Sequence, residues 1–168
     1  MKRKVIRKQP NSKMCLVCGL KNPLGLKAHF YELENKELVG IFEPIEEHQG
    51  YPGRLHGGII SAILDETIGR SILINYEEDV WFVTEEFNVR FKKPVPLDEE
   101  VKVRARLTKE TSRIYEGTGE IILKNEEVAA EGYGKYMKLP IEKIADFDYE
   151  EQEWRVVSAE KDPEEIEI

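Results

Sequence analysis

Long hydrophobic runs are missing from this 168-residue chain, and none reaches the roughly 18 residues of a membrane-spanning helix. A helical membrane protein is therefore not expected. The basic N-terminus lacks the apolar segment of a secretory signal, which makes a cytoplasmic location the expectation. Cysteine is nearly absent. The two thiols fall in one stretch, Cys15-Leu16-Val17-Cys18-Gly19. A zinc site usually takes four ligands, and no second CxxC exists to supply them. The βαβ context of a thioredoxin-type motif is also missing. The CxxC reads as a structural turn with reduced thiols and no metal. Metal binding, completed by His29 or by a second chain, and disulfide chemistry are the alternatives. Internal repeats and low-complexity linkers are absent, and the length suits one domain with its own core.

What the chain does have is charge. At 35% charged and 40% hydrophobic residues it has a globular composition. The net charge of -8 is unevenly spread. Residues 1–13 hold six Lys or Arg and no acid, whereas residues 142–168 hold eleven acids against three bases. The basic arm reads as a solvated terminus rather than a nucleic-acid contact. The acidic tail reads as solvated too, with a helix docked through Phe147, Tyr149 and Trp154 as its means of attachment.

Turn signals divide the rest. Two strand-like runs, Leu26–Leu33 and Glu37–Glu43, flank Glu34-Asn35-Lys36 and suggest a hairpin. A loop over 44–55 holds Pro44, Gly50, Pro52 and Gly53. The segment from about 57 to 75 is helical by length, with apolar residues nearly encircling its axis, which predicts a buried helix. Four strand-like segments follow, near 80–92, 99–110, 113–124 and 127–138. In the second, Val101, Val103, Ala105 and Leu107 alternate with Lys102, Arg104, Arg106 and Thr108, so one face is buried and one is wet. The predicted fold class is α+β, an antiparallel sheet wrapped around one long central helix.

The helix carries an acid, Asp65, in its middle. Burying an unpaired carboxylate is costly, so such an acid usually has a partner or a job. Neighbouring Glu66 can pair with Arg70 at i, i+4 on the helix surface. Asp65 has no base at i±3 or i±4, where Ala62, Ser61, Ile68 and Gly69 stand. Asp65 is thus the catalytic candidate. The turn before it, Gly53-Arg54-Leu55-His56-Gly57-Gly58, opens the helix. Glycines there let a substrate oxygen approach backbone N–H groups at the positive end of the helix dipole.

These residues carry a resemblance. His56-Gly57-Gly58 with Leu64-Asp65-Glu66, the acid nine residues after the histidine, resembles the hotdog-fold thioesterases of the phenylacetate-pathway (PaaI-like) type. Cys15–Gly19 with Asn22-Pro23-Leu24-Gly25-Leu26 resembles the N-terminal signature of one branch. Phe87-Asn88-Val89-Arg90-Phe91 with Pro94 resembles the strand after the helix. The resemblance spans about residues 14–139, and sets a hotdog domain there between the basic arm of 1–13 and the acidic extension of 140–168. It implies hydrolysis of acyl-CoA thioesters without cofactor or metal. Asp65 would be nucleophile or general base, the Gly57 N–H the oxyanion donor, His56 a shaper of the turn, and Thr84 a positioner of the attacking water. Some members have asparagine six residues before the histidine, where this chain has Gly50. Gln49 is the candidate replacement, and Gly58 and Arg54 complete the substrate-binding set. Arg90, Lys92, Lys93, Lys102, Arg104 and Arg106 are further bases for CoA phosphates.

Geometry adds a condition. Asp65 lies eight residues beyond Gly57, roughly 12 Å along a helix at about 1.5 Å per residue. One helix cannot bring both groups to one carbonyl carbon, whereas antiparallel helices from two subunits could. A homodimer, or dimers paired into a homotetramer, is expected. Two other readings compete. One is a dehydratase of the same fold, using His48 and Glu66. The other is a non-catalytic acyl-CoA sensor, although neither terminus reads as a DNA-binding helix pair.

Overall fold

Alternation builds most of the sheet. In β5 (Val101–Glu110), Val101, Val103 and Ala105 are buried while Lys102 and Arg104 between them are half-buried. β6 (Ile114–Ile122) and β7 (Val128–Lys138) repeat the pattern. Together with β1 (Lys2–Lys8), β2 (His29–Leu33), β3 (Leu38–Phe42), β4 (Phe82–Phe91) and β8 (Glu165–Glu167) they form one sheet, in the order β4-β7-β6-β5-β3-β2-β1-β8. Every adjoining pair is antiparallel. This computed structural model describes residues 1–168.

A single α-helix, α1 (Gly57–Arg70), packs across β3 to β7. It lies close because the sheet is bare beneath it. Gly117 pairs with Gly134 and Gly119 with Gly132 across β6 and β7. A Cβ on Gly117, Gly119 or Gly132 would come within 2.9, 2.8 or 2.9 Å of the Ile68 side chain. Any larger residue there would have to displace the Ile68 side chain or the helix that carries it. Leu64 and Ile68 are fully buried against this lane and Ile63 is fully buried in the same core, and buried apolar surface contributes about 25 cal/mol per Å².

The α+β architecture matches the expectation, with differences in detail. The helix ends at Arg70 and continues to Asn75 as a 3-10 turn. It is not buried all round: Gly58 is exposed, and Ser61, Ala62, Asp65 and Glu66 are half-buried. The predicted solvated arm is instead strand β1, paired on one side with β2 and on the other with β8. The reason is charge. Lys2, Arg3 and Lys4 lie opposite Glu167, Ile166 and Glu165, and Lys8 donates to Asp162 at 2.6 Å. The basic arm and the acidic tail are each other's partners, and the Met1 ammonium reaches the Ile168 carbonyl at 2.9 Å. The tail forms no α-helix, only a 3-10 turn at Ile141–Lys143. Phe147, Tyr149 and Trp154 dock all the same, ringing Trp81 at 4.9, 6.0 and 5.1 Å between centroids.

Candidate active site

α1 and β4 run side by side, and β4 positions the residues that face the helix. A bulge between Thr84 and Glu86 shifts the register of β4 on β7. Before it, Phe82 and Thr84 face the helix. After it, Phe87 and Val89 pack on the core. Bulges re-aim side chains in this way, and they gather next to functional sites. The consequence is a ladder along α1. Phe91 lies against Gly57, Thr84 against Asp65, and Phe82 against Gly69.

The Thr84 hydroxyl sits 3.0 and 3.2 Å from the two Asp65 carboxylate oxygens, so it donates to one or shares its proton between them. The Tyr136 hydroxyl donates to the Asp65 carbonyl at 3.0 Å, and Tyr115 donates to the Gly69 carbonyl at 2.7 Å. Both phenols anchor the helix from the sheet. Burial pushes the Asp65 carboxyl above the usual carboxylate range, and the hydroxyls of Thr84 and Tyr136 pull the other way without cancelling it. An acid raised like this is a stronger base once ionised.

At the helix start, His56 is the N-cap. Its Nδ1 accepts from the Gly58 N–H at 2.8 Å, while its carbonyl takes the N–H groups of Ile59 and Ile60. The Gly58 donor is therefore spent within the chain. The Gly57 N–H has no acceptor in the chain. Asp65 and Thr84 are thus together, whereas Gly57 and His56 lie two turns away on the same helix. Gln49 is exposed and accepts from the Gly53 N–H at 3.4 Å within its own loop. Among the expected phosphate-binding bases, Arg104 and Arg106 reach Glu120, Lys92 reaches Glu131, Lys93 reaches Glu127, and Lys102 lies 4.0 Å from Glu100. Arg54 and Arg90 make no ion pair.

The Glu66–Arg70 pair exists but is not on the surface. Arg70 Nε donates to Glu66 at 2.7 Å, and its Nη1 to the Pro10 carbonyl at 2.8 Å. Its guanidinium lies 4.4 Å from the Phe30 ring centre and 5.1 Å from that of Trp154, which leave it 2% exposed. His48 is buried with both ring nitrogens engaged: Nδ1 accepts from the Ile45 N–H, and Nε2 lies 2.8 Å from the Leu24 carbonyl. The pair required for dehydration is therefore committed elsewhere.

Residues 52–130, from the glycine turn through α1 into β7, match the family model described as Thioesterase superfamily. Over this segment the chain is similar to the thioesterase superfamily. The acyl-coenzyme A thioesterase THEM4 of Rattus norvegicus is 36% identical over 92 residues, covering 54% of this chain and 38% of that protein. The chain spans between 34% and 51% of the length of the curated relatives it matches. Two solved structures share the fold. A thioesterase from Haemophilus influenzae has a TM-score of 0.65 at 15% identity, over 74% of this chain and 86% of the other. The PaaI protein of the E. coli phenylacetic acid degradation operon has a TM-score of 0.61 at 13% identity, over 68% and 81%. The fold shared with them is the hotdog arrangement of one helix on a large antiparallel sheet.

Sequence reasoning missed two features around α1. The β4 bulge has no composition signal of its own, although the shift of apolar residues from position 82 to 87 and 89 marks it. The second is the approach of the CxxC turn to Glu66. Cys15 Sγ, Cys18 Sγ and a Glu66 carboxylate oxygen all lie within 4.8 Å of one another. The Cys18 thiol beside it lowers the Cys15 pKa to about 7, whereas Cys18 itself is pushed far above the usual thiol range, first by that same hydrogen bond and then by burial. His29 takes no part: its desolvated ring sits near Lys8 and Asp162, with Nδ1 buried and unpartnered.

Proposed function

We propose that the protein hydrolyses acyl-CoA thioesters in a site shared between two copies of the chain. The observation that carries this reading is the half-buried Asp65 carboxylate, oriented by Thr84, on a helix whose first N–H, that of Gly57, is free. A thioester needs a nucleophile or activated water on one side of its carbonyl and a donor for the developing oxyanion on the other. Asp65 attacks the carbonyl or takes a proton from water, with the Thr84 hydroxyl holding the carboxylate or the water in place. The Gly57 N–H of the second copy receives the oxyanion, aided by the helix dipole. His56 holds that turn open by capping it, and Gly58 lets the substrate pass close to the backbone. Arg54, in the turn before the helix and in no ion pair, meets the CoA phosphates, whereas Arg90 lies on the sheet face away from the helix, beside Glu131 and Tyr133, and Gln49 borders the entrance. The rat relative named an acyl-coenzyme A thioesterase supports the substrate class.

A dimer also suits the exposed elements. β4 is a sheet edge with only β7 as neighbour, and the half-buried stripe of α1 adjoins it. Pairing two such edges covers both and sets the helices antiparallel.

The test is thiol release from a panel of acyl-CoA esters spanning short, long and phenylacetyl chains, for wild type beside Asp65→Asn. Wild type is expected to hydrolyse at least one class, and Asp65→Asn to bind it without turnover. Full activity in the variant would remove Asp65 from the chemistry. Acyl-CoA binding without hydrolysis by wild type would move the protein to the sensor reading.

A further inference from the structure

The CxxC turn stands apart from the thioester chemistry, yet it is held with care. The Gly19 N–H closes it on the Cys15 carbonyl at 2.8 Å, and the Asn11 amide grips the Cys18 carbonyl at 2.8 Å. Gly19 must be glycine, because a Cβ there would fall 2.4 Å from the Cys15 oxygen. Within the turn, the N–H groups of Val17 and Cys18 both point at Cys15 Sγ, at 3.4 and 3.5 Å. Two amides aimed at one sulfur favour a thiolate and fix its direction. The Ser12 hydroxyl lies 3.3 Å from Cys18 Sγ. Across from both sulfurs stands Glu66, one of whose oxygens is taken by Arg70 while the other is free.

We propose that Cys15, Cys18 and Glu66 form a binding site for a divalent metal ion of the zinc type. Two thiolates and a carboxylate are borderline-soft donors of the kind zinc takes. Zn–S bonds of about 2.3 Å at a tetrahedral angle put two sulfurs about 3.8 Å apart. The three ligand atoms, all within 4.8 Å of one another, need only a small contraction to reach that. Three protein ligands leave a fourth position for water, and there is room for it. All three residues line one cavity of about 240 Å³. Charge balances too. Two thiolates and Glu66 against a divalent ion and the buried Arg70 guanidinium sum to zero. Without the ion, Arg70 offsets only one of the three negative charges the site can carry. The ion ties the N-terminal turn to the helix residue next to Asp65, so it fixes the helix that carries the proposed catalytic acid.

The experiment uses the full chain, stripped with chelator and kept reduced, and titrated with Co²⁺ and then Zn²⁺. Wild type is expected to take one Co²⁺ per chain, with thiolate-to-cobalt charge-transfer bands that Zn²⁺ abolishes, and to melt at higher temperature with Zn²⁺ than without. Zinc-edge absorption of the loaded protein should show two sulfur neighbours, the rest being oxygen or nitrogen. The nearly isosteric double variant Cys15→Ser/Cys18→Ser should lose the bands and the thermal shift. Glu66→Gln should keep the bands and weaken binding at least tenfold. The proposal is overturned if reduced wild type shows no bands at equimolar cobalt. It is equally overturned if the edge spectrum lacks two sulfurs, or if the double variant retains the ion. None of these readouts depends on thioester hydrolysis, so the site stands or falls apart from that reading.

Discussion

One hydroxyl, that of Thr84, is the side-chain donor seen at the Asp65 carboxylate oxygens. Hydrogen bonds to charged groups contribute about 1.5–3 kcal/mol, which corresponds to roughly tenfold to hundredfold in rate if the bond is needed in the transition state. Thr84→Val, which keeps the shape and removes the donor, should lower kcat by that factor with little change in stability. Thr84→Ser should restore most of it. Wild-type turnover in the valine variant would reduce Thr84 to an ordinary strand residue. Asp65 was legible in the sequence because it lacks a base at helical spacing, and Glu66 because it has one. Thr84 was not legible from the residues alone. Threonine is common in strands, and what turns this one toward Asp65 is the bulge that follows it.

At the scale of elements, the contact of α1 with β4 is the one most sensitive to a single atom. A Cβ on Gly69 would fall 2.4 Å from Phe82 Cε2 and 3.1 Å from the Tyr136 ring. Two effects compete in Gly69→Ala. Alanine favours a helix over glycine by about 1 kcal/mol. Overpacking a filled core costs about 1–3 kcal/mol, and Phe82 is itself held edge-to-face against the stacked pair Tyr115 and Tyr136. The second should win. Urea unfolding is expected to show a lower midpoint with an unchanged slope, and, because Phe82 is two residues from Thr84, turnover should fall as well. A raised midpoint would mean that Phe82 moves freely. The helix and the strands from β4 to β7 were legible because hydrophobic period alone distinguishes them. β1 and β8 were hidden, since each read as a solvated charge run. Their pairing depends on two oppositely charged ends meeting, which no local window contains. The arginine at the end of α1 was misplaced for a similar reason. Helical spacing paired Arg70 with Glu66, but Phe30, Trp154 and the Pro10 carbonyl that bury it come from distant parts of the chain.

For the whole molecule the question is whether the site belongs to one chain or to two. Within one chain, Gly57 and Asp65 are separated by about 12 Å of helix, at about 1.5 Å per residue, too far for one carbonyl carbon. A mixing experiment decides it. Gly57→Pro deletes the N–H and nothing else of consequence. Position 57 is the first helical residue, where proline is tolerated, and His56 before it is already extended at φ -64 and ψ 136. Space is available as well, since a Cβ at 57 meets Phe91 no closer than 3.5 Å. Gly57→Pro and Asp65→Asn should each be folded and inactive. In a two-fold dimer of one chain of each, one site combines the intact Gly57 of the Asp65→Asn chain with the intact Asp65 of the Gly57→Pro chain. The other site lacks both groups. Random reassortment makes about half of the dimers mixed, each with one working site of two, so the mixture should recover roughly a quarter of wild-type turnover. Co-expression with two tags allows the mixed dimer to be purified, and that species should show about half. Recovery near zero, with mixed dimers demonstrably present, would place both groups in one chain's own site and rule out the shared arrangement. The antiparallel helices inferred from helix length alone make the recovery of activity from two dead proteins a required outcome.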